Sequence, residues 1–311
     1  MPESLAQTVT PHSLQPSPRL FSRILVPTDF SEVSRRALVD AATLAARLDL
    51  QLYLAHILPE APAPQLDVSD AASRDAAQTA LTALASTLAP GSPACTTLLE
   101  SGHLWEAVDR LVQRHAIDLI VLATHGVAAR PQPSLGSAAE QIFRHATCPV
   151  LTIGPTSQPR DLSEMKFASI LFVTDFGPNA ERAAGYALAL ARKYGSRLTA
   201  LHVAPDPEAA SRLDLDHLRQ IHIQHMRQSL RQLDRTFVPS EFRVLFGDPA
   251  EEILCAAQQT ATDLIVMGCK TGFGWAGHVP LSTAYNVAAK ALCPVLTVRA
   301  GRPSHCSVPA R

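Results

Sequence analysis

The residues best suited to chemistry sit where apolar runs end. Asp29 follows the run Ile24-Leu25-Val26-Pro27-Thr28. A later run, Leu119 to Ala123, leads through Thr124-His125-Gly126 and a ten-residue step to Gly136-Ser137, which opens a segment of helical period. Gly126 and Gly136 have no Cβ to hold an anion away from backbone amides. The first turn of a helix carries N–H groups with no intrahelical acceptor, so phosphate oxygens fit there, with the Ser137 hydroxyl as a further donor. Asp29 can accept from ribose hydroxyls. The same residues also have plain structural uses: an aspartate before Ser31-Glu32 can cap a helix, and Gly-Ser can simply begin one.

Other chemistry finds less support. No G-x4-G-K-[ST] string exists, which excludes Walker-type phosphoryl transfer. The turn after Ile24 to Val26 reads Pro27-Thr28-Asp29-Phe30-Ser31-Glu32, without the glycines and serines that hold pyrophosphate in nucleotide-cleaving relatives of such folds. His222 and His225 lie three apart near His217, Asp214 and Asp216, but no full metal-ligand set follows from the spacing, and a solvated helix face accounts for them. His56 and His202 read as hydrogen-bonded fixtures at strand ends. The six cysteines form no C-x-x-C pair and so suggest neither a zinc cage nor a disulfide framework. Cys269 lies in a glycine loop where helix amides could acidify a thiol, with passive packing as the simpler role.

The elements that must position these residues occur twice. Ile24 to Phe30 recurs as Ile170 to Phe176, and His56 as His202, displaced by 146. Asp118 to Val121 recurs as Asp263 to Val266, and Cys148 to Thr152 as Cys293 to Thr297, displaced by 145. A repeat this long is a duplicated domain. In each copy short branched apolar runs alternate with helical segments, which predicts βαβαβαβαβ around a parallel sheet. Strands are expected near 22–27, 50–57, 95–100, 118–123 and 149–153, then near 168–174, 197–203, 241–246, 263–268 and 294–298. Residues 209–237 carry Leu215, Leu218, Met226, Leu230, Leu233 and Phe237 at helical spacing, the pattern of a core face. The expected organisation is a disordered segment 1–20, domain one at 21–154, a linker 155–166, domain two at 167–299 and a tail 300–311. A chain of 311 residues, 47% hydrophobic, has material for two cores. Its formal net charge of -1 supplies no basic face for nucleic acid, and no run approaches a membrane span. A reducing cytoplasm is the expected location.

With these residues in view, the sequence resembles the universal stress protein family over nearly all of both copies. The family's nucleotide loop reads G-x2-G-x9-G-[ST]; the first copy offers Ala123-x2-Gly126-x9-Gly136-Ser137, and the second Gly268-x2-Thr271-x9-Leu281-Ser282. The resemblance implies a Rossmann-like α/β fold of two tandem five-stranded domains. It also implies an adenine-nucleotide site formed by Pro27, Thr28, Asp29, Ile57, Leu122, Ala123, Gly126, Gly136, Ser137 and Ala138. In the second copy Leu281 should block the approach of phosphate, and Val173 replaces Pro27, so ATP is not expected there. The implied ligand is ATP, with ADP and AMP as the other candidates and Mg²⁺ as a candidate companion. The resemblance further implies an intramolecular pseudo-dimer through the fifth strands, with a homodimer as a further candidate. The expected role is a stress-response or signalling module without catalysis. The alternatives are a ligand-free interaction protein and a slow ATP hydrolase.

Overall fold

A computed structural model describes residues 20–59, 68–124, 135–154, 167–206, 212–269 and 282–299. The expected N-terminal segment, linker and C-terminal tail lie outside the described residues, apart from Leu20.

The first half runs β1 (Arg23–Pro27), α1 (Glu32–Leu48), β2 (Gln51–Leu58), α2 (Val68–Ser86), β3 (Cys95–Ser101), α3 (Leu104–Arg114), β4 (Leu119–Ala123), α4 (Ser137–His145) and β5 (Val150–Ile153). The second half repeats the order as β6 (Ser169–Val173), α5 (Pro178–Tyr194), β7 (Arg197–Ala204), α6 (Arg212–Leu233), β8 (Glu241–Phe246), α7 (Pro249–Gln259), β9 (Leu264–Gly268), α8 (Thr283–Lys290) and β10 (Val295–Val298). The strands follow their branched apolar runs. Helix α1 buries Ala37, Leu38, Ala41, Ala42 and Ala45 along one stripe and ends at Asp49 in the left-handed region (φ 56°). At the matching place α5 ends on Gly195 (φ 64°), which adopts that conformation without a Cβ penalty.

Within each half the sheet is parallel, in the order β3-β2-β1-β4-β5 and, repeated, β8-β7-β6-β9-β10. The chain moves outward from β1 and then returns to β4 on the other side, so strand order reverses between β1 and β4. The crevice beyond the carboxyl ends of those two strands is where such sheets accept ligands. One buried layer lies under α1, α2, α5 and α6, and another under α3, α4, α7 and α8.

The halves share one ten-stranded sheet because β5 pairs antiparallel with β10, with Leu151 opposite Leu296. The seam is reciprocal: the Thr152 hydroxyl donates to the Val295 carbonyl at 3.3 Å, and the Thr297 hydroxyl to the Val150 carbonyl at 3.2 Å. Beside it, Tyr285 Oη donates to Glu140 Oε2 at 3.3 Å. The buried Arg299 guanidinium donates to the carbonyls of Ala146 and Phe143 at the C-terminal end of α4. Those carbonyls are the negative pole of the helix, a favourable place for a cation.

Candidate functional site

The turn after β1 is built by short polar side chains. Asp29 Oδ1 accepts from the Ser31 amide at 3.0 Å, and Ser31 caps α1 by accepting from the Ser34 amide at 3.2 Å. Asp29 is therefore not the cap; it holds the residue that is. Thr28 Oγ1 accepts from the Phe30 amide at 3.0 Å and lies 2.9 Å from Ser34 Oγ. Phe30 takes a left-handed φ of 63°, an unusual state for a bulky residue, and packs 4.4 Å from the His56 ring. His56 Nδ1–H donates to the Thr28 carbonyl at 2.8 Å, tying the end of β2 to the turn. Burial raises the Asp29 carboxyl, but the hydrogen bonds from Ser31 and Ser34 together outweigh it and hold it below the usual carboxylate value. An exposed, ionised acceptor results at the edge of the crevice.

Across the crevice, β4 pairs parallel with β1 at Ile24–Leu119 and Leu25–Ile120, so that both strands run in the same direction toward it. Leu122 is buried and the Ala123 methyl packs against the core beneath α1. Ile57, at the end of β2, is half-buried against the other core layer. Gly126 lies outside the described residues, as do His125, Pro131 and Pro133. Gly136 is the N-cap of α4 and makes no side-chain cap bond, while Ser137 and Ala138 in the first turn are exposed. Among the described residues no side chain caps this helix end, whose first-turn amides are groups of the kind that accept an anion. The sequence singled out Asp29 and Gly136, but Ser31 and Ser34, which orient Asp29, were missed; the signal was Ser-x-x-Ser directly after Thr-Asp-Phe.

The second half uses matching residues differently. Asp175 Oδ1 accepts from the Gly177 amide at 2.9 Å, and α5 starts with Gly177 and Pro178 and has no side-chain cap. Ser282, the match of Ser137, is itself the N-cap of α8 and accepts from the Tyr285 amide at 3.2 Å. Its hydroxyl oxygen thus serves its own helix as acceptor, a cap that glycine cannot supply at Gly136. Gly268, which matches the first glycine of the loop, has a packing reason: a Cβ there would meet the Ala180 amide nitrogen at 2.6 Å and the Asn179 carbonyl carbon at 2.7 Å. Lys270, Thr271 and Leu281 lie outside the described residues.

The comparisons decide the lineage. The universal stress protein family model matches twice, over residues 20–154 and 166–299. The chain belongs to the universal stress protein family. A universal stress protein of Thermus aquaticus is 38% identical over 144 residues, covering 43% of this chain and 99% of its own length. One from Methanocaldococcus jannaschii is 28% identical over 141 residues, covering 43% of this chain and 82% of its own. The fold of the whole chain is similar to a universal stress protein structure from Archaeoglobus fulgidus, with TM-score 0.64 and 17% identity over 91% of this chain and 97% of that one. A Pseudomonas aeruginosa structure described as a putative universal stress protein gives TM-score 0.58 at 17% identity, over 90% of this chain and 94% of that one.

In this universal stress protein the remaining candidates resolve as follows. His225 is exposed, as the spacing suggested, whereas His222 is half-buried. The ring of His225 stacks on Phe176 at 4.1 Å, and that of His222 lies 4.6 Å from His202. His202 Nδ1–H donates to the Thr174 carbonyl at 2.8 Å. Burial holds its pKa below the ordinary value, against that hydrogen bond, and the neighbouring histidines add to the lowering. Among the described residues no three His, Cys, Asp or Glu side chains are placed to hold a metal ion. Cys269 is buried and burial raises its pKa, against the nearby Arg299 guanidinium, which overturns the reading of an acidified thiol. Burial likewise pushes the Cys148 thiol up to about 12. Among the described residues no helix is long and apolar enough to cross a membrane.

Proposed function

We infer that the first domain binds an adenine nucleotide, ATP foremost with Mg²⁺ as a companion of its phosphates. In this reading the protein is a cytoplasmic binding module of stress response or signalling rather than a catalyst. The observation that carries it is the pairing, across the β1/β4 reversal, of an ionised Asp29 with a helix start that has no side-chain cap at Gly136. Asp29 would accept from the ribose, Ile57 and Pro27 would flank the base, and the first turn of α4 with Ser137 would receive phosphate. The second domain, with its helix start already capped by Ser282, serves as the structural partner in an intramolecular pseudo-dimer joined at β5 and β10.

The test is mass analysis of small molecules released when freshly purified protein is denatured without added nucleotide, followed by calorimetry with ATP, ADP, AMP and adenosine. The expected result is one site per chain. If folded protein binds none of the four at about 1 mM, with or without Mg²⁺, the nucleotide reading fails and surface interaction becomes the function. Phosphate release above a buffer blank would instead support slow ATP hydrolysis.

A further inference from the structure

A pocket of about 130 Å³ opens between α5 and α6 in the second domain. Its floor is buried and mostly apolar, with Phe172, Ala184, Met226 and Leu230, while Glu181 and Gln232 form an exposed rim. The space has a sequence cause that the repeat exposes. At the displacement of 146, Ala184 stands where the first domain has Leu38, which is fully buried in the layer under α1. Ala180 stands where the first domain has Ser34. Thr174 lines the pocket, its Oγ1 accepting from the Phe176 amide at 3.0 Å, and the Ala180 methyl takes the place of the Ser34 hydroxyl that Thr28 meets at 2.9 Å. The aromatic wall of Phe172 replaces Val26, and Glu181 replaces Arg35.

We propose that this pocket binds a small single-ring aromatic molecule bearing a neutral hydroxyl, the chemical class of a phenol. The volume is near that of one ring, since a cavity of roughly 150 Å³ is enough to admit benzene, and a lining more polar than apolar favours a ring that carries a polar group. Phe172 and the Met226 thioether supply ring and sulfur contacts. With its oxygen held by the Phe176 amide, Thr174 would donate its O–H to the ligand hydroxyl, and the Glu181 carboxylate at the rim disfavours anions such as benzoate. This site lies in the layer between helices and sheet and rests on none of the residues assigned to nucleotide.

The probe is phenol, added to the full chain with its methionine methyl groups isotopically labelled and followed by NMR. Met226 should shift saturably, with a dissociation constant on the order of 1 mM for so small a ligand, while Met267, in the opposite layer, should not move. Benzoate should bind at least about tenfold more weakly through charge repulsion. Ala184→Leu, which installs the first domain's own residue, should abolish the Met226 response. No saturable shift in the parent protein overturns the proposal whatever the variant does. A response that survives in folded Ala184→Leu protein, or a uniform shift of both methionines, overturns it as well.

Discussion

The two starts of corresponding helices, α4 and α8, show how a duplicated fold separates its uses. Both follow the fourth strand of their half and both carry a serine at matching positions. In the first half the helix begins one residue earlier, on Gly136, so Ser137 falls inside the first turn and is exposed. In the second half Ser282 becomes the cap, its hydroxyl oxygen accepting from the Tyr285 amide. Retaining a motif residue is therefore different from retaining its role. Gly268 teaches the same lesson from the other side, since it is retained for helix packing and the first domain does without it.

The comparison breaks most readily at Gly136. Gly136→Val should weaken ATP binding by at least about 100-fold, roughly 2.7 kcal/mol, by setting a branched side chain against the phosphates. Adenosine affinity should hardly change, and calorimetry on the pair of ligands checks this. Equal losses for both would place the base, not the phosphate, at Gly136.

Next in size is Gly268→Ala, whose Cβ would run into the backbone of Asn179 and Ala180. Overpacking of this kind costs about 1 to 3 kcal/mol, which denaturant unfolding would detect. The reverse change, Ala123→Gly, should cost less because it relieves no clash and only trims a packed methyl. A neutral Gly268→Ala would argue that the strand and helix can part freely.

Asp29→Ala should weaken both ATP and adenosine by about tenfold, through loss of a charge-assisted acceptor. Asp175→Ala should leave nucleotide binding untouched. Ser282→Ala should lower stability by about 1 kcal/mol through the lost cap, whereas Ser137→Ala should act on ATP affinity with little effect on unfolding. Should the serine variants behave alike, the contrast between the two helix starts is wrong.

The smallest effect concerns pH. His202 titrates in the folded protein below its unfolded value near 6.5, so the unfolded chain binds more protons between those two values. That contribution to stability is complete above about pH 6.5 and is lost as pH falls toward the folded value. Urea unfolding at a series of pH values should show this slope, and His202→Gln should flatten it.

Much of this was legible from the chain itself. The positions of the inner strands followed from branched apolar runs, because burial on both faces leaves little polar alternation to confuse them, while the edge strands β3 and β8 are only partly buried. The core stripe on α6 was partly misread: Met226 and Leu230 are buried, but Leu233 is 42% exposed beside the pocket. Periodicity assigns a residue to a face of a helix, and the extent to which a neighbour covers that face depends on side chains elsewhere, here the small Ala184 and Ala180. His222 was read as solvated for the same reason, since a ring packed beside it, Phe176, is 46 residues away in the chain.

By itself the sequence determined the duplication, the order of strands and helices, the family, and Asp29 and Gly136 as the residues to examine. These rest on local composition and on matches at a fixed displacement. Only the tertiary structure decided that β5 and β10 join the halves into one sheet, that Gly268 answers to Asn179 and Ala180, that Ser282 is consumed as a cap, and that Ala184 leaves a pocket where Leu38 fills its place. Each is set by distances of a few ångströms between segments remote in the chain, where one methylene more or less changes whether atoms clash, touch or leave room.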